Sequence, residues 1–150
     1  MSEYEARPGA IAPEQVGLRF LSVAYRVREK VDQHMSAAGL SLSRAKVLRL
    51  LAGHGALHQA ELAALLGQAP RSVSQTVEAL ERAGLIARTV DPGDRRRKTV
   101  SVTAEGRAAL VSGERAGTRI LSDLFGSLDI PRLSELDALL ALLDQDPDNE

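Results

Sequence analysis

A chain of 150 residues with 44% hydrophobic residues, 3% aromatic residues and no cysteine fits one globular domain, or one domain carrying an oligomerisation extension. The missing thiols exclude disulfides, thiolate nucleophiles, thiolate metal sites and cysteine-based redox sensing, and the scarce aromatics leave little for base stacking on an aromatic platform. A net charge of −1 hides a split, because residues 44–100 carry +5, residues 101–150 carry −6 and residues 1–43 balance, the polarity expected when one end of a molecule faces phosphates and the other does not.

Residues 1–12 lack periodicity and read as a loose arm. They carry no charged-then-apolar leader pattern, and no apolar run in the chain reaches roughly 18 residues, so a cytoplasmic protein with no membrane partner is expected. Pro13 and Glu14 suit a helix start. Val16, Phe20, Val23, Val27 and Val31 follow as one apolar stripe, with Leu18, Leu21 and Tyr25 as a second. A helix apolar on two faces is sandwiched, in its own core or against a partner. Gly39 ends it near Ala38. Ser41 or Ser43 caps a second helix carrying Val47, Leu48, Leu50 and Leu51, which stops at Gly53-His54-Gly55. A third helix begins near His58, holds Leu62, Leu65 and Leu66, and ends at Gly67. Pro70 opens a fourth, where its missing N–H costs nothing. Val73, Val77 and Leu80 line that helix's core face, and Gly84 closes it.

Two β-prone runs, Ile86–Val90 and Thr99–Val102, then flank a turn on Pro92-Gly93 that leads into Arg95, Arg96, Arg97 and Lys98. Thr103 caps a fifth helix with Glu105 in its first turn. The Gly126 region breaks it, and Asp129 and Pro131 begin a leucine-rich sixth helix. The fold expected is mainly α with a small β-wing. A winged helix-turn-helix spans 41–103, helical dimerisation regions span 13–40 and 104–146, and 147–150 form a frayed tail. The leucine density of the last helix and the doubly apolar first helix point to an intertwined homodimer built by both ends of the chain.

With its buried face subtracted, the fourth helix offers Arg71, Ser72, Ser74 and Gln75 in its first two turns, with Glu78 beyond. A recognition helix enters the major groove by its N-terminal end, where Arg pairs with guanine, Gln with adenine, and Ser serves base or phosphate. The cationic ribbon downstream suits a phosphate backbone or a minor groove. Asp94, directly before the arginines, is expected to orient one guanidinium through a charge-assisted bond while another enters the groove; spacing does not say which. The partner expected is therefore double-stranded DNA. The alternative is a helical-dimer protein–protein module whose basic ribbon docks an acidic partner. His54 and His58 are spaced H-x3-H with His34 as a third nitrogen, but Gly55 interrupts any shared helical face, so no metal and no cofactor are expected. The sequence offers no nucleophile constellation, phosphate-binding glycine loop or framed carboxylate pair, so no catalytic residues and no enzyme are expected.

The run Asp91-Pro92-Gly93-Asp94-Arg95-Arg96 followed by Thr103-Ala104-Glu105-Gly106, together with Glu61-Leu62-Ala63, Val73-Ser74, Leu80-Glu81 and Gly84-Leu85-Ile86, resembles the MarR (multiple antibiotic resistance regulator) family of transcription regulators, over about Pro13 to Leu143. The resemblance implies a homodimeric repressor on a pseudo-palindromic operator, with Arg95 and Arg96 in minor-groove and phosphate roles. It also implies release by a small aromatic or phenolic anion held between the dimer-forming and DNA-binding parts. By location alone, Tyr25, Arg28, His34, Met35 and Arg49 would line that site. Two departures stand out. Ala69 replaces a capping Ser or Thr before the fourth helix, and His58 replaces Thr or Ser before the third.

Overall fold

The structure, a computed structural model, describes residues 9–145. Its elements run α1 (Pro13–Ala37), α2 (Leu42–His54), β1 (Leu57–His58), α3 (Gln59–Leu66), α4 (Pro70–Arg82), β2 (Ile86–Val90), β3 (Lys98–Val102), α5 (Ala104–Phe125) and α6 (Ile130–Leu143). Residues 1–8 of the expected arm and the expected tail at 147–150 lie outside the described residues.

The helix boundaries follow from local chemistry. Ser41 accepts a hydrogen bond from Arg44 N–H at 3.4 Å, and Asp32 of α1 accepts one from Leu42 N–H at 2.9 Å, so the start of α2 is satisfied from two sides. Gly67 ends α3 in the left-handed region (φ +62°), and Gly55 ends α2 at φ +80°. Thr103 Oγ1 accepts from Gly106 N–H at 3.0 Å and donates to Gly84 O at 2.7 Å. One hydroxyl thus caps α5 and fastens it to the turn that ends α4. Asp129 caps α6 by accepting from Arg132 N–H at 2.9 Å.

The core lies under the middle of the chain. Leu48 and Leu51 from α2, Leu62 from α3, Val73, Val77 and Leu80 from α4, and Val100 from β3 are fully buried, each stabilising by about 1.5–3 kcal/mol relative to leaving it exposed. Val31 and Met35, in the last turns of α1, join this cluster. Met35 reaches it over Gly113 and Gly117 of α5, where an added Cβ would stand 3.2 Å from Met35 Sδ at Gly117.

The sheet differs from the two-stranded ribbon that the sequence suggests. It has three antiparallel strands in the order β1-β3-β2, with Leu57 opposite Val100 and His58 opposite Thr99. A two-residue strand has no periodicity to read, because it is made by its partner. β3 also begins one residue earlier than expected, at Lys98, which pairs with Val90.

The two ends of the chain pack differently from the middle. Of the stripe expected on α1, only Val31 is buried, Val27 is half-buried, and Val16, Phe20 and Val23 are exposed, as are Leu18, Leu21 and Tyr25. No residue of α6 is buried, and Ile130 and Leu143 are 81% and 76% exposed. Among the described residues no helix is long and apolar enough to cross a membrane.

Candidate nucleic-acid interface

Helix α4 owes its amphipathicity to the spacing of its valines and Leu80. With Val73, Val77 and Leu80 turned fully inward, Arg71, Ser72, Gln75 and Glu78 are left exposed, while Ser74 is half-buried. Its N-cap, Ala69, supplies no side-chain bond, so the first N–H groups of the helix lack a protein side-chain acceptor there. Thr76 is occupied locally, its hydroxyl donating to Ser72 O at 3.1 Å.

The wing is held in shape by its own acids. Asp91 Oδ1 accepts from Gly93 N–H at 2.8 Å, and Asp94 Oδ1 accepts from Arg96 N–H at 3.0 Å. Backbone bonds Asp91 N–H to Arg97 O and Arg97 N–H to Asp94 O, both 2.9 Å, close the loop. This corrects the expectation for Asp94. Its carboxylate folds back on the backbone two residues on, the usual habit of aspartate in a tight turn, rather than pairing with a guanidinium. Arg95, Arg96, Arg97 and Lys98 are exposed. None of them has a carboxylate within 4.0 Å among the described residues, where the ion pairs are Arg49–Glu114, Arg88–Glu81 and Arg132–Asp129.

The Arg88–Glu81 pair is one that sequence reading missed. Arg88 on β2 donates to Glu81 on α4 at 3.1 Å, with side chains only 17% and 37% exposed, so the root of the wing is tied to the end of α4. The signal available was faint, a cation and an acid seven residues apart across a glycine turn. The wing and the start of α4 also meet on one face. Pro70, Arg96, Arg97 and Lys98 share the walls of a cleft with the first residues of α3.

The five residues expected to line an effector site have different surroundings. Tyr25 and Arg28 edge a hollow of about 190 Å³ beside Leu42. Arg28 also borders an apolar hollow of about 460 Å³ between α1, α5 and α6, lined by Phe20, Val27, Leu121, Phe125 and Leu140. His34 is exposed, with Nδ1 2.8 Å from Lys30 O. Arg49 is paired with Glu114 at 2.9 Å. Met35 is a core residue, 2% exposed, because the glycines of α5 make room for it. Tyr25 Oη donates to Glu29 Oε1 at 3.1 Å. That bond, and then the negative charge of Glu29, raise the phenol above its ordinary pKa of 10.0. Among the described residues no group of three His, Asp or Glu is placed to hold a metal ion.

A family model described as MarR family matches residues 38–97, the stretch that holds α2, the helix-turn-helix and most of the wing. The chain is 28% identical over 131 residues to an HTH-type transcriptional repressor of Mycobacterium tuberculosis, covering 87% of this chain and 94% of the relative. Among solved structures, YusO protein from Bacillus subtilis superposes with a TM-score of 0.76 at 24% identity, over 90% of this chain and 99% of that one. A mutant MarR from E. coli complexed with operator DNA superposes with a TM-score of 0.66 at 19% identity, over 87% and 94%.

Proposed function

We propose that this chain is a MarR-family homodimeric transcriptional repressor that binds a pseudo-palindromic operator in double-stranded DNA and is released by a small aromatic or phenolic anion. The observation that carries the DNA reading is the cleft shared by the start of α4 and the unpaired wing cations. Pro70 opens α4 beside Arg96, Arg97 and Lys98 there, which supports a recognition helix and wing facing one side together, as simultaneous engagement of a major and a minor groove requires. Arg71, Ser72, Ser74 and Gln75 then read base edges, and Arg95–Lys98 hold phosphates and the minor groove. Asp94 serves by shaping the turn. A protein of the same fold complexed with operator DNA supports the DNA reading.

Two copies are favoured by the apolar faces that one chain leaves open, Phe20, Leu21 and Val23 on α1 and Leu139, Leu142 and Leu143 on α6, since contiguous exposed apolar surface marks an association site. This makes 13–40 and 104–146 dimer-forming and 41–103 DNA-binding. The effector reading rests on the apolar hollow bordered by Arg28, which offers a ring a dry wall and a carboxylate or phenolate a cation. A ligand there would bias the angle between the dimer-forming helices and the winged parts.

The test is duplex binding measured over a range of salt concentrations. The affinity should fall linearly with salt on logarithmic axes, and Arg95→Ala and Arg96→Ala should each lower the slope by about one while weakening all duplexes alike. Unchanged affinity and slope in both variants would remove the wing from the account.

A further inference from the structure

The cleft between the wing and the helix-turn-helix holds more than the two surfaces already assigned. It holds about 420 Å³ and is lined by His58, Gln59, Glu61, Pro70, Arg96, Arg97 and Lys98. Three cations with no carboxylate within 4.0 Å among the described residues face one acid, Glu61. That acid is already engaged, accepting from His58 N–H at 3.0 Å. Gln59 Oε1 is buried without a hydrogen-bond partner. An unpaired buried amide oxygen is costly, so the Gln59 side chain has reason to turn its terminal amide towards an incoming group, which its N–H groups can meet as donors. His58 Nδ1 stands 3.5 Å from Thr99 Oγ1 on β3. Three unpaired cations against one engaged acid suit an anion with several acceptor oxygens.

We propose that this cleft takes a single backbone phosphate of the duplex, gripped between His58 and Gln59 at the start of α3 and Arg97 and Lys98 where the wing loop enters β3. The inference rests on the DNA-binding reading and deepens it. The occupant follows from charge complementarity and from continuity, since the cleft runs between the start of α4 and the wing, the two surfaces that meet the duplex. The grip reads no base. Its effect is positional: a phosphate bridging α3 to the loop end of β3 fixes the wing's angle to α4, so both grooves are engaged in one register. His58 and Gln59 thereby become DNA-positioning residues that neither the recognition helix nor the wing tip includes.

The experiment uses the full chain and a duplex selected from a random-sequence pool, scanned with single methylphosphonate substitutions that each remove one backbone charge. The wild type should lose affinity sharply at one phosphate in each half-site. Lys98→Gln should weaken every duplex and lower the salt slope by about one. Gln59→Ala should weaken every duplex with little change in slope. At the cleft phosphate, either variant and the methylphosphonate should be non-additive by about threefold or more, as for groups in contact. Melting temperatures equal to the wild type would establish that both variants fold. Additive penalties at every position would overturn the proposal while leaving the DNA reading intact. So would saturation of the cleft by inorganic phosphate with additive scanning, because the site would then belong to the free ion. Failure of the wild type to bind any duplex would overturn both.

Discussion

Replacing Gly106 by alanine puts a methyl group where the first turn of α5 lies against the end of the sheet. The new Cβ would fall on Leu85 O and come within 2.8 Å of Val102 Cγ2. Leu85 O is backbone, and it also accepts from Thr103 N–H at 3.1 Å, so the conflict is not relieved by a rotamer change. Either α5 backs away from the sheet or the bond that fastens its cap is lost. Overpacking of this kind costs about 1–3 kcal/mol and the lost bond about 0.5–1.5 kcal/mol, against about 1 kcal/mol gained from alanine's helix propensity. The net loss of about 1–3 kcal/mol corresponds to a melting temperature lower by about 2–12 °C for a chain of this size. Gly117→Ala is the control. Its Cβ would meet Met35 Sδ at 3.2 Å, the flexible part of an adaptable side chain, so propensity should prevail and melting should stay level or rise. Circular-dichroism melts at matched protomer concentration decide the matter, since association makes melting concentration-dependent. A Gly106→Ala protein that melts at or above the wild type, or a Gly117→Ala protein that falls as far, would refute the packing argument.

Three further outcomes are expected. Arg71→Ala and Gln75→Ala should relax preference at particular base pairs by about 1–3 kcal/mol in competition binding, whereas a uniform loss across sequences would demote α4 to a phosphate contact. Leu139→Glu together with Leu142→Glu should shift the chain towards monomer in sedimentation velocity with the core-centred fold retained by circular dichroism, because both side chains are more than half exposed in a single chain; an unshifted sedimentation coefficient would move the interface elsewhere. Glu29→Gln should bring the Tyr25 phenol down towards 10.0 in an ultraviolet titration on a Tyr4→Phe background, since the present shift comes from the hydrogen bond and charge of Glu29. With the folded pKa raised, that contact's stabilising effect is present below about pH 10 and fades as pH climbs further.

Much of this fold was legible because most of its elements announce themselves locally. Val73, Val77 and Leu80 recur with the period of a helix, Pro70 and Gly84 bracket them, and Thr103 stands where a cap is needed, so α4 and the start of α5 could be bounded from sequence. β1 could not, since Leu57 and His58 become a strand only through pairing with Thr99 and Val100. The candidate site divides in the same way. Which residues of α4 face outward is a matter of periodicity. What Asp94 binds is a competition between a nearby guanidinium and its own backbone, and spacing does not rank the two. The burial of Met35 is not legible in sequence because its surroundings depend on Gly113 and Gly117, about eighty residues away in the chain. His58 and Gln59 gave no sequence signal as DNA-facing residues, for they matter only through the wing that folds across to meet them.

The most direct trial of the account is sedimentation of the selected duplex with increasing protein at several salt concentrations. Two chains per duplex, with attachment that weakens steadily as salt rises, is the result the account predicts. A protein that remains a single chain throughout, or that attaches to no double helix in a salt-sensitive way, would contradict it.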